Sequence, residues 1–203
     1  TYLIKGLAVF AAISIEKFEL YEQFIEKEKI EKELQIARDI QQSFLLKGDI
    51  QVRQSDVAFI NLTSSEVGGD YYDIIKLNDN ETVYTINDIS GHGIPASLLM
   101  AIFRTNFTYL INKNRDILET ITQLNELIAE TTDANLYVTS FTAIIDTAEK
   151  TIRYINSGHN SPFIIRGEDV LTLDEGTLVL GMFPLVPYEI HQKSLADGDI
   201  LVL

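Results

Sequence analysis

Apolar residues between Phe10 and Phe44 recur at helical spacing. Phe10, Ile13, Leu20 and Phe24 make one stripe, and Ile30, Leu34, Ala37, Gln41 and Phe44 make a second with a four-three-four-three step. The two join through Lys27 with an extra three-residue step, so the seam changes phase near residues 27–30. From residue 3 to residue 44 no proline occurs and the only glycine is Gly6, which predicts one long helix. Glu26 with Lys29 and Glu28 with Lys32 supply the charged flank of a coiled coil. A helix of this length spans roughly 60 Å, more than a small domain can cover. This favours a homodimer through residues 10–44 over a helix lying on its own domain.

Past the "KGD" of residues 47–49 the pattern changes to short β-branched and aromatic runs punctuated by turn signals such as "LNDNET" and "IRGEDV". Two domains are therefore predicted, a helix over 1–47 and a second domain over 48–203. Strands are predicted at 56–62, 70–77, 82–89, 138–146, 151–157, 162–166 and 200–203. Helices are predicted at 94–113, with Pro95 in the first turn, and at 116–132. Strands, a helix pair, then strands joined by hairpin-length loops imply an α+β fold of antiparallel sheets with helices outside them, not a βαβ repeat.

The chain has 203 residues and a net charge of -14. Residues 1–47 carry 7 basic and 8 acidic residues, leaving 9 and 22 for the remainder, so the second domain holds nearly all the excess. Such a surface repels nucleic acid and anionic lipid, and neither is expected as a partner. There are no cysteines and no signal peptide, which points to the cytoplasm. The apolar run at 3–15 contains Lys5 and falls short of the roughly 20 residues of a membrane span. The alternative, the tail of a longer membrane helix, is disfavoured by Lys5.

If so acidic a domain acts on a phosphorylated substrate, a cation must supply the compensating charge, and no glycine-rich loop with Lys and Ser or Thr offers one. Divalent Mg²⁺ or Mn²⁺ held by carboxylates is the economical answer. Asp70 follows Gly68 and Gly69 at a strand start, and Asp88 ends an apolar strand where burial unpaired would be costly. The bland reading of each is a turn or capping carboxylate.

The stretches "EVGGDYYDIIKL", "INDISGHGIPASLLMA", "INSGHNSPFII" and "LADGDILVL" resemble, in order and spacing, the stage II sporulation protein E type of metal-dependent serine/threonine phosphatases, the bacterial branch of the type 2C phosphatases. The resemblance covers about residues 48–203. It implies a type 2C phosphatase-like α/β/β/α sandwich of antiparallel sheets behind the long N-terminal coiled-coil helix. "LAVFAAISIEKFELYEQ" is similar to the last helix of a GAF sensor domain running into the signalling helix "IEKELQIARDIQQSFL". By resemblance, Asp70, Asp88 and the backbone carbonyl of Ile89 bind a pair of Mn²⁺ or Mg²⁺ ions. Gly68, Gly69, Asp73, Gly91 and Gly93 support the motif, Asp73 being open between a role behind the ligands and a turn. His92 is a candidate proton donor to the leaving serine oxygen, the alternative being a structural bond within its loop. His159 is expected to organise the loop after its strand, and His191 belongs to no constellation. The substrate implied is a phosphorylated protein of the anti-sigma-factor antagonist type.

In that family a Tyr-Thr-Asp-Gly motif with a further aspartate ligand follows the "GDxLVL" stretch, and this chain stops at Leu203. The sandwich is therefore expected to be incomplete at the C-terminus, and the chain weakly active or inactive by itself. Two functions are compatible with the residues: a phosphatase output domain of a signalling protein, or a catalytically silent dimeric module that binds a partner.

Overall fold

The computed structural model describes residues 2–46, 52, 55–61, 67–132 and 136–203. The chain divides into two units, Thr1–Ile40 and Gln41–Leu203. The division precedes the 47/48 boundary read from the sequence because Gln41 bonds Gly68, Phe44 bonds Arg104 and Leu45 packs on the core of the second unit.

The first unit is helical, part of α1 (Tyr2–Phe44). Its apolar positions, Phe10, Ile13, Leu20 and Phe24 among them, are exposed. A Lys27–Glu31 ion pair joins successive turns on its surface.

In the second unit, β1 (Tyr71–Lys76), β2 (Glu81–Ile89), β3 (Val138–Asp146), β4 (Thr151–Ser157) and β7 (His191–Ser194) form one antiparallel sheet in the order β1-β2-β3-β4-β7. A second sheet has the order β6-β5-β8, built from β5 (Phe163–Arg166), β6 (Asp169–Thr172) and β8 (Ile200–Val202). Side-chain bonds shape the hairpin turns. Asn78 Oδ1 accepts from the N–H groups of Asn80 and Glu81, and Asp146 Oδ1 from those of Ala148 and Glu149.

Between β2 and β3 run α2 (Gly93–Asn114) and α3 (Ile117–Thr131), the latter capped by Asp116 accepting from the Glu119 N–H. Both lie on the five-stranded sheet. Alternation along the strands fills two cores. Val83, Ile89, Val138, Ile144 and Ile155 face Phe103, Phe107 and Ile121 of the helices. Phe141, Ala143, Ile152 and Tyr154 face Ile164 and Leu173 on the side of the second sheet. Each fully buried Val, Ile, Leu or Phe side chain among these contributes about 1.5–3 kcal/mol. Helix α2 is long and apolar enough to cross a membrane, but Ala96, Leu99, Met100, Phe103, Phe107 and Ile111 bury one of its faces in the first core.

The strand predicted at 56–62 does not form. Residues 56–61 join no ladder, Leu62 lies outside the described residues, and the local backbone pairing is a bridge between Val52 and Ser55. Phe59 instead lays its ring against Tyr72 at 5.2 Å. The sequence pattern signals neither β6 nor β7, because each is only four residues long and lies at a sheet edge, β6 being exposed throughout.

Candidate functional site

The alternation that builds the cores also sorts the motif residues. On β2, Val83, Thr85, Asn87 and Ile89 turn toward the helices, so Ile86 and Asp88 turn toward the second sheet. Thr85, Asn87 and Thr142 satisfy one another beneath the helices, with Thr85 Oγ1 2.9 Å from Thr142 Oγ1 and the Asn87 amide donating to Thr85 Oγ1 at 3.0 Å. Asp88 has no such burial. It stands last in its row and reaches solvent.

The β1–β2 register ends with Tyr71 opposite Asn87, so one step further brings Asp70 opposite Asp88, which is itself opposite Thr139 of β3. The two carboxyls lie close enough to influence each other electrostatically. Burial first, then the neighbouring Asp88, hold the Asp70 carboxyl above the ordinary carboxylate range, while His159 acts the other way. His159 approaches from beyond β4. Its Nδ1 is 2.8 Å from Thr139 Oγ1, and its backbone N–H donates to Asn156 Oδ1 at 2.8 Å. Burial holds the imidazole below its ordinary value, with Asp70 opposing. Asp70, Asp88, Thr139 and His159 thus form a row across the end of the sheet. From local pattern alone His159 reads as a loop residue, since nothing nearby in the chain links it to an aspartate 89 positions earlier.

Glycines allow this crowding. A Cβ on Gly69 would stand 2.7 Å from the Ile89 carbonyl oxygen, so only glycine lets the chain ahead of Asp70 pass that close. The same approach sets the Ile89 carbonyl beside the residue that precedes Asp70. Gly91 and Gly93 take φ values of 88° and 71°, and between β2 and α2 Ser90 is clamped twice to Tyr137, donating its N–H at 2.9 Å and accepting at Oγ at 2.8 Å. His92 is the N-cap residue of α2, exposed, with no side-chain capping bond. Gly68 is held through its own peptide groups by the Gln41 amide. Asp73 turns away from Asp88, accepting from the Tyr71 hydroxyl at 2.6 Å and the Ile74 N–H at 2.8 Å. Burial, and then Asp73, raise the Tyr71 phenol pKa. His191 lies on β7 with its ring 5.7 Å from that of Tyr154, apart from the aspartate pair.

Two neighbouring carboxyls favour either a shared proton or a cation. Two carboxylate groups and the nearby carbonyl are hard oxygen donors of the kind Mg²⁺ and Mn²⁺ accept, so the residues fit a divalent ion whose remaining positions water or other oxygens would fill. Among the described residues, no group of three or more His, Cys, Asp or Glu side chains is placed to hold a metal.

Residues 78–203 match the family model described as Stage II sporulation protein E (SpoIIE). The chain is 28% identical over 180 residues to the phosphoserine phosphatase RsbU of Bacillus subtilis, covering 87% of this chain and 53% of that protein. The chain thus spans about half the length of that relative. Among solved structures, the SiaA-PP2C domain of Pseudomonas aeruginosa superposes with a TM-score of 0.69 at 18% identity, over 86% of this chain and 71% of that one. A structure of RsbX in complex with magnesium superposes with a TM-score of 0.55 at 17% identity, over 69% and 67%. These superpositions establish a PP2C-like fold.

Proposed function

This chain belongs to the stage II sporulation protein E (SpoIIE) family, and from that membership we propose that it is the phosphatase domain of a bacterial signalling protein, hydrolysing phosphoserine or phosphothreonine on a protein substrate of the anti-sigma-factor antagonist type. The observation that carries the reading is the placement of Asp70 opposite Asp88 at an exposed sheet end. The similarity to a phosphoserine phosphatase supports the reaction, and the likeness to a magnesium-bound relative supports the metal.

Asp70, Asp88 and the Ile89 carbonyl would hold Mn²⁺ or Mg²⁺, two ions when the ligand set is complete. Bound there, the metal supplies positive charge for the phosphoryl oxygens and activates water. The chain's own part is positional. The Ser90–Tyr137 clamp and the left-handed glycines fix the turn after Asp88, and Gly69 lets Asp70 close on it. Because both carboxylates reach solvent, a phosphate carried on another protein has access. His92, exposed four residues past Asp88, is the candidate proton donor to the leaving oxygen. The exposed stripe of α1 is assigned to a parallel homodimer, in which two copies cover what one leaves in water.

The test is release of inorganic phosphate from a phosphoserine protein by the full-length protein with Mn²⁺ or Mg²⁺. Turnover should vanish with a chelator and fall more than about 100-fold in Asp88→Asn. Metal-independent turnover, or a fully active Asp88→Asn variant, would reassign the site.

A further inference from the structure

The one buried residue of α1 is polar: Gln41, 8% exposed, in the last turn of a 43-residue helix. Its side-chain amide meets the backbone of Gly68 on both sides, Nε2 donating to the Gly68 carbonyl at 2.6 Å and Oε1 accepting the Gly68 N–H at 3.0 Å. That pattern is the one a neighbouring strand would offer. Among the described residues Gly68 has no strand neighbour, because β1 begins at Tyr71 and its ladder with β2 ends at the Tyr71–Asn87 pair. Gly68 is half-buried, so the Gln41 amide supplies its peptide N–H and carbonyl with partners that water only partly offers.

The anchoring of Gln41 is itself firm. One turn on, the Phe44 carbonyl accepts from Arg104 Nε at 2.8 Å, the Arg104 guanidinium lies 5.2 Å from the Phe44 ring centre, and Leu45 packs on the core. Two residues beyond Gly68 stands Asp70, which Asp88 repels and which must nevertheless stay opposite it. Gly69 between them is pressed against the Ile89 carbonyl.

We propose that Gln41 is a positioning residue for the Asp70–Asp88 site, its amide holding the Gly68 peptide groups so that Asp70 is presented to the ion against the repulsion of its partner. The proposal rests on the metal-site reading given above and adds a residue outside the ligand motifs. Residues that orient ligands rather than bind the metal typically change metal affinity about 10–100-fold when altered.

The test uses the full-length protein and its Gln41→Leu variant, which keeps the helix and the side-chain bulk and removes both bonds; Gln41→Met serves if the leucine variant does not fold. Backbone hydrogen exchange is followed without metal, and Mn²⁺ affinity is measured by calorimetry. The expected result is exchange about tenfold faster at Gly68, protection in β3 largely kept, a melting temperature lowered by no more than a few degrees and Mn²⁺ binding about tenfold weaker. Mn²⁺ binding within twofold of the parent overturns the proposal. So does an equal loss of protection at Gly68 and in β3, which would make Gln41 a general stabiliser. A parent protein that binds no Mn²⁺ instead overturns the metal reading itself, and Asp88→Asn, expected to abolish binding, separates the two failures.

Discussion

Asp70 is held above the ordinary carboxylate range by two causes that substitution can separate, burial and the neighbouring Asp88. Asp88→Asn removes the like charge and leaves the burial. In the metal-free protein the Asp70 pKa, followed by carboxyl-carbon NMR, should therefore fall but remain above the value of a solvated aspartate. An unchanged titration would mean that the two groups do not interact. Gly69 makes a second point at this scale. The Cβ of Gly69→Ala would meet the Ile89 carbonyl at 2.7 Å, and backbone cannot yield as a flexible side-chain tip does. A loss of about 1–3 kcal/mol in urea denaturation is expected, together with weakened metal binding. Asp70, Asp88 and these glycines were legible in the sequence because their motif is local. His159 and Gln41 were not, since each reaches the site only through tertiary contacts, with Thr139 and Gly68 respectively. By spacing, Gln41 falls in the apolar stripe.

Among the elements, β7 is the weakest reader of its own sequence. Four residues with alternate partial exposure give little hydrophobic signal, and the strand is held from outside by Glu175. That carboxylate accepts from Lys193 on β7 and from the Tyr154 hydroxyl on β4, and these two bonds, Lys193 first, lower its pKa to about 2. A carboxyl depressed on folding stabilises above its unfolded value, and the contribution disappears as pH falls through the folded one. From pH about 4.5 down to about 2, the parent should thus lose stability faster than Glu175→Gln, measured by urea midpoints, with a constant difference above that window. Parallel curves would remove Glu175 from the docking of β7. The longer strands and both helices of the second unit were read correctly because period-two and helical patterns persist over enough residues to be distinct. The strand predicted at 56–62 failed because a β-prone run needs a ladder partner as well as the right residues, and residues 56–61 have none.

At the scale of the whole molecule, the charge and the long helix point to partners. With a net charge of -14 the chain is set against polyanions, which suits a domain whose catalytic charge would come from bound metal. The apolar stripe of α1 should associate two copies, so light scattering at micromolar concentration is expected to give a dimer, and Leu20→Glu with Phe24→Glu a monomer; a monomeric parent would count against the assembly. The central question remains whether Asp70 and Asp88 act together on one kind of ligand. Titration of Mn²⁺ into the full-length protein, followed by loss of the free-ion paramagnetic resonance signal, answers it most directly. The expected result is binding by the parent that weakens more than about 100-fold in Asp70→Asn and in Asp88→Asn alike, with both variants folded. Binding of Mn²⁺ as tight in either variant as in the parent would contradict a shared metal site.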